Sequence, residues 1–177
     1  MPIYDNVEDI YFSAANIAEF AIADTYPNTP VALSHENISE LPESYISVYP
    51  LGISPIGRKT ESTLADENET IVIECNYEIR VQYSFIGSNA LGMGLKFFHA
   101  INSNILVMEE LIKNNLFVLR KENLVKVPEK RETGWIDKHT LDVHYGLAIR
   151  TEQLVTTVGT VTFLDPVTGE QITVTVP

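Results

Sequence analysis

A chain of 177 residues, 45% of them apolar, is long enough for one domain with its own core and needs no metal or disulfide to fold. Its 24 acidic against 12 basic residues give a formal charge of −12, which repels polyphosphates and anionic membrane surfaces. That balance argues against a nucleic-acid grip, because such binders cluster Lys and Arg against phosphate. The single Cys75 excludes an internal disulfide and a thiolate metal cluster. The start, Met1-Pro2-Ile3-Tyr4-Asp5, carries no basic stretch followed by an apolar run, so no signal peptide is expected. Nor does any uncharged apolar run reach the roughly 18 residues of a membrane span, and folding in a reducing cytoplasm follows.

Residues 5–24 have the spacing of an amphipathic helix. Asp5 or Asn6 can cap it, Glu8 and Asp9 suit its positive end, and Val7, Ile10, Ala14, Ile17, Ala18 and Ala21 recur on one face. Tyr26-Pro27-Asn28-Thr29-Pro30 stops it. Val31–Leu33 and Tyr45–Tyr49 read as strands, and residues 54–69, with Pro55, Gly57 and Asp66-Glu67-Asn68-Glu69, read as an exposed loop. Thr70–Ile86 is the clearest strand. Ile71, Ile73, Cys75, Tyr77, Ile79, Val81, Tyr83 and Phe85 hold the odd positions, while polar residues hold most even ones.

Gly87-Ser88-Asn89 then opens a helix whose core face is expected to use Leu91, Leu95, Phe98 and Ile101 or their neighbours. Ser103-Asn104 interrupts it, and a second short helix runs through Leu111 and Ile112. Phe117–Arg120 and Leu124–Val127 read as strands. Leu141, Val143, Tyr145, Leu147 and Ile149 mark a further strand with its odd positions inward. A Val/Thr hairpin closes the chain, Val155–Leu164 and Glu170–Val176, turned at Asp165-Pro166-Val167-Thr168-Gly169. The fold class is α+β, a mostly antiparallel sheet with helices packed on one face, plus the C-terminal β-hairpin.

No residue is nominated as catalytic, cofactor-binding or metal-ligating. Gly87, Gly92 and Gly94 lack the spacing of a dinucleotide or P-loop motif. With Ala90 they read instead as small residues that let a helix pack closely on the sheet. His139 and His144 are five apart on a strand, so they point to opposite faces and cannot share a metal. His35 lies in a polar loop and His99 on a helix, each read as solvated or hydrogen-bonded. Cys75, in the apolar row, reads as an inert core thiol. Glu109-Glu110 and Asp66-Glu67-Glu69 read as solvated faces, with paired carboxylate chemistry left open. Arg120, Lys121, Lys126, Lys130 and Arg131 gather locally but are diluted by Glu122, Glu129 and Glu132. They fit a solvated hairpin or an ionic contact with an acidic neighbour.

The order of landmarks resembles the phage neck/tail-terminator family. Leu41-Pro42-Glu43-Ser44-Tyr45-Ile46-Ser47-Val48 is similar to its opening strand, and Phe85-Ile86-Gly87-Ser88-Asn89-Ala90 to its strand–Gly–x–x–Ala passage into the main helix. Gly134-Trp135 with the strand from His139 to Thr151 resembles its closing segment. The likeness spans about residues 5–152, giving a terminator-like domain at 1–152 and a hairpin extension at 153–177, within the same domain or as an arm between subunits. It implies a virion protein, not an enzyme and without a cofactor, that caps the tail tube. Its implied partners are copies of itself in a homohexameric ring, the tail tube protein and a neck/head-completion protein, with the tail sheath a further candidate. DNA would pass through the lumen without sequence-specific binding. Two alternatives stand beside it: another tail morphogenesis protein (tube, sheath or baseplate) and a soluble small-ligand-binding domain.

Overall fold

The computed structural model describes residues 7–33, 42–62, 70–131, 134–154, 160–164 and 171–175. The proposed caps Asp5 and Asn6, the acidic run at 66–69, His35 and the tip of the hairpin lie outside them. Helix α1 spans Val7–Ile22, and Ile10, Tyr11, Ala14, Ile17, Ala18, Ala21 and Ile22 are buried along it. It ends as the main chain tightens, Tyr26 N–H donating to Ile22 O at 2.8 Å. Strand β1 (Val31–Leu33) runs parallel to β2 (Tyr45–Ser62), Val31 facing Ile46 and Leu33 facing Val48.

β2 continues well past Tyr49, so residues 54–62 are strand where a loop was expected. Pro50, Gly52, Pro55 and Gly57 account for the misreading, since each breaks strand periodicity. They are tolerated because β1 pairs only with Ile46–Val48. Beyond that point β2 has one neighbour, and an edge strand can do without some of its N–H donors.

Strand β3 (Thr70–Ile86) has the bounds the alternation predicts, and Ile79, Val81, Tyr83 and Phe85 are wholly buried. Cys75 is a free thiol, half-buried rather than in the deep core. Gly87 turns the chain into helix α2 (Ala90–Ala100) at φ +106°, and a Cβ there would collide with Glu43 O and Ser44 Oγ. The core face of α2 is Ala90, Met93, Gly94, Phe97 and Ala100, continued by Ile101. Leu91 and Leu95, expected inside, are 51% and 46% exposed, and Phe98 is half-buried. The helix is rotated because its small side packs tightest. A Cβ on Gly94 would lie 3.2 Å from Phe85 and 2.9 Å from Leu124, and Phe97 stacks on Tyr83 at 4.5 Å. Asn104 caps helix α3 (Ile105–Lys113), its Oδ1 accepting from Leu106 N–H at 2.9 Å.

Strands β4 (Leu116–Lys121) and β5 (Val125–Lys126) both pair antiparallel with β8 (Lys138–Leu154), and a bulge interrupts β4 between Val118 and Arg120. Strands β6 (Glu129–Arg131) and β7 (Gly134–Ile136) make a small separate hairpin. The main sheet orders as β1-β2-β3-β8-β4, with β5 on β8. Leu141, Val143, Tyr145 and Leu147 are buried as expected, whereas Ile149 is partly exposed. Strands β9 (Thr160–Leu164) and β10 (Gln171–Thr175) form the antiparallel C-terminal pair. Two compact units result: residues 1–58 with 75–149, and residues 59–74 with 150–177. The α+β class holds.

The first unit has one core between helices and sheet, built on the odd positions of β3 and β8. Replacing Ile79 by Ala removes a wholly buried side chain and is expected to cost about 2–5 kcal/mol in urea unfolding. A loss below about 1 kcal/mol would place Ile79 outside the core.

At the centre of that core two phenols meet. Tyr83 O–H donates to Ala14 O at 3.2 Å, so the 2.7 Å contact between the hydroxyls is donated by Tyr145. Burial pushes both phenols above their ordinary range, and for Tyr83 the neighbouring Tyr145 adds to the rise. The folded state therefore holds protons that the unfolded chain releases above about pH 10. Stability from this pair is present below that value and falls as pH rises past it. Urea midpoints are expected to drop above about pH 10 and to drop less steeply in Tyr145→Phe; an unchanged slope in the variant overturns the assignment.

Candidate functional site

The face of the sheet turned away from the helices carries the even positions of β3 and β8, and there the polar residues meet. Asp142 accepts from Arg80 Nη2 at 2.6 Å, Arg80 Nε at 3.2 Å and Gln82 Nε2 at 2.9 Å. The hydrogen bond to Asp142, with its charge, holds the Arg80 guanidinium firmly protonated against a small desolvation. His144 is buried beneath this layer, its Nδ1 against Glu78 Oε1 and its Nε2 3.1 Å from Glu122 Oε1. Arg120 Nη2 lies 3.3 Å from His144 Nδ1 and 3.5 Å from Glu78 Oε1. The bulge at Val118/Arg120 shifts the side-chain alternation and turns Arg120 onto this face.

Beside the network, the Leu51–Ser54 stretch of β2, Glu78 and Arg80 of β3, Arg120 of β4 and His144 of β8 line an open groove of about 300 Å³. Further along, Phe117 lies across Gly146, where a Cβ would collide with the ring. The two carboxylates at His144 occupy opposite edges of the imidazole, so they do not converge on one point. Among the described residues no group of three or more His, Cys, Asp or Glu is arranged to hold a metal ion.

The other residues weighed from the sequence scatter. His139 and His144 stand at odd and even positions of β8, both buried, and His139 Nδ1 has no hydrogen-bond partner. His99 is exposed on α2. Gly92 faces the Tyr26 hydroxyl and Gly94 faces Phe85, as close helix packing requires. Lys126 pairs with Asp137 at 2.8 Å and holds that carboxyl below its ordinary range, while Lys121 Nζ sits 3.9 Å from the Phe98 ring centre. Of the local cations, Arg120, Lys121 and Lys126 thus have partners in the chain.

Glu110 corrects the expectation of a solvated carboxylate. It is buried, accepting from Asn114 Nδ2 at 2.9 Å and Asn16 Nδ2 at 3.3 Å, with Lys113 Nζ at 3.5 Å. The open-face network was missed because its members come from β3, β4 and β8 and share no local motif. The even-position polar row of β3, with the Asp142 and His144 pair on β8, was the available signal.

A family model for phage neck terminator proteins matches residues 17–175, nearly the whole chain. The chain belongs to the phage neck terminator family. The match takes in the C-terminal pair β9–β10, beyond the span to which the sequence likeness extended. No curated protein sequence matches the chain. A family member of this kind is a structural protein of the phage neck, and no described helix is long and apolar enough to cross a membrane.

The contribution of the His144 network to stability is measurable. His144→Ala is expected to cost about 2–4 kcal/mol, through the space it leaves and the carboxylate it strands. Glu122→Gln, at a half-exposed side chain, should cost less than about 1 kcal/mol. Equal losses at the two positions in urea unfolding would show that the imidazole is not the anchor of the network.

Proposed function

We infer that this neck terminator closes the tail tube as a homo-oligomeric ring, hexameric by its likeness to related terminators. On that ring the neck or head-completion proteins dock, and DNA passes through its lumen. The family match over residues 17–175 carries the reading. Charge supports it: 24 acidic against 12 basic residues make a wall that releases no counterions to DNA and so does not grip it. The paired cations support it too, since Arg80, Lys96, Arg120, Lys126 and Lys138 are each engaged by a carboxylate of the same chain.

The hairpin β9–β10 is the candidate arm between subunits. Two five-residue strands are marginal alone and gain stability by lying on a sheet. Light scattering on the purified chain is expected to give one discrete multiple of the 19.8 kDa subunit, and truncation after Glu152 a folded monomer. A full-length chain that stays monomeric at high concentration, and phage lacking it whose tails are complete and of normal length, would overturn the ring. A truncated chain that still assembles would free the hairpin of that role alone.

A further inference from the structure

Helix α3 is turned against its own hydrophobicity. It buries Val107, Glu110 and Leu111, and the bond from Asn16 of α1 holds Glu110 inward. The opposite side presents Ile105, Met108 and Ile112 at i, i+3 and i+7, which are 69%, 47% and 75% exposed, with Leu106 alongside. Glu109 is the acidic residue within this apolar stripe. A mostly apolar helical stripe left to solvent marks a contact surface, the more so in a chain this acidic.

The groove on the other side of the same unit has the complementary character. Leu51 and Ile53 form its apolar lip, each 39% exposed. Arg80 and Arg120 form its floor and far wall, with side chains 48% and 65% exposed. A guanidinium has five N–H donors, more than the bonds to Asp142 and Glu78 use. An apolar stripe bearing one carboxylate therefore matches an apolar lip bordered by two guanidiniums and the single carboxylate of Glu78.

We propose that the α3 stripe of one copy docks in the groove of the next, with Glu109 set against Arg120 and Arg80. The two surfaces lie on opposite sides of the sheet in the first unit, one on the helical layer and one on the face turned away from the helices. A copy that fills its neighbour's groove leaves its own groove free. Such a contact is heterologous, and it propagates until rotation closes it into a ring. A twofold dimer would need one self-complementary patch instead. The proposal rests on the oligomeric ring inferred above and assigns the side chains that build it.

The test is complementation between two defective chains. Met108→Glu/Ile112→Glu spoils the stripe, and Leu51→Glu/Ile53→Glu spoils the groove with the same sign of charge, so that the two spoiled surfaces cannot pair; Ile53→Ser replaces the latter should the double variant melt early. Each is expected to retain the wild-type melting temperature and to run as a monomer by light scattering, where the unaltered chain forms its oligomer. Mixed in equal amounts, they should give a dimer that grows no further, because one intact stripe meets one intact groove. Glu109→Lys should weaken assembly, and the double change Glu109→Lys/Arg120→Glu should recover part of it. Variants that assemble like the unaltered chain overturn the assignment and leave the ring standing; if they also fail to join tails, the stripe serves another virion protein. A mixture that stays monomeric overturns the head-to-tail pairing. An unaltered chain that never assembles removes the ring itself.

Discussion

Everything in the first unit is arranged around the packing of Phe97 against Tyr83 and Phe85. The ring centres lie 4.5 and 5.6 Å apart, and all three side chains are wholly buried. Because a strand's side chains alternate, committing the odd positions of β3 to these aromatics commits its even positions to the other face. The same division passes to β8 through the Tyr83–Tyr145 hydroxyl contact, and to α1 through the bond from Tyr83 to Ala14 O. Glycine makes the approach possible, since α2 comes close enough only where Gly94 has no Cβ to press on Phe85. One aromatic contact thus decides which side of the sheet is core and which side is left to meet something else.

The parts of this arrangement that rest on local periodicity could be read from residues in order. β3 alternates over most of Thr70 to Ile86, and its bounds, its inward face from Ile79 to Phe85 and the following glycine turn match the structure, while Cys75 and Tyr77 are only half-buried. β8 alternates nearly as well until Ile149. Where two periodic faces compete, local pattern is not enough. Leu91 and Leu95 form as good an apolar row as Met93 and Phe97, and only the shape of the sheet below chooses between them. The same holds on α3, where Leu111 faces inward and Ile112 outward. β2 was hidden for a different reason. Pro50, Pro55, Gly52 and Gly57 are loop residues in isolation, and they become strand residues only on an edge. The open-face network was legible only as a row of polar positions, because Asp142 meets Arg80 across 62 residues of sequence and His144 meets Glu78 across 66.

Internal neutralisation explains how so acidic a chain can carry a structured basic floor. Arg80, Arg120, Lys126 and Lys138 would make a positive field if they stood alone beside one another. Each is instead held near a carboxylate: Asp142, Glu78, Asp137 and Glu129 respectively. At a distance the pairs cancel and the net −12 dominates, so a polyanion sees repulsion. At contact range the same guanidiniums still offer directed N–H groups, which a single carboxylate on an apolar helix can use. Long-range repulsion and short-range recognition are therefore compatible on one surface, and that combination suits a part that must join protein neighbours without holding DNA.

Glu110 shows why the outward stripe of α3 is not an accident of packing. Burying a carboxylate is costly unless it is hydrogen-bonded, and a leucine or isoleucine facing the same space would avoid the cost. The helix carries candidates for that space at Ile105, Met108 and Ile112, yet a rotation that buried them would expose Val107 and Leu111 and break the bond from Asn16. Asn16 is decisive here, because it belongs to α1 and reaches Glu110 across 94 residues of sequence. The polar bond between the two helices fixes the rotation of α3 as the aromatic contact fixes that of α2. With the rotation fixed, the apolar stripe must face outward whatever it costs the isolated subunit, and a surface of that kind becomes favourable once a neighbour covers it.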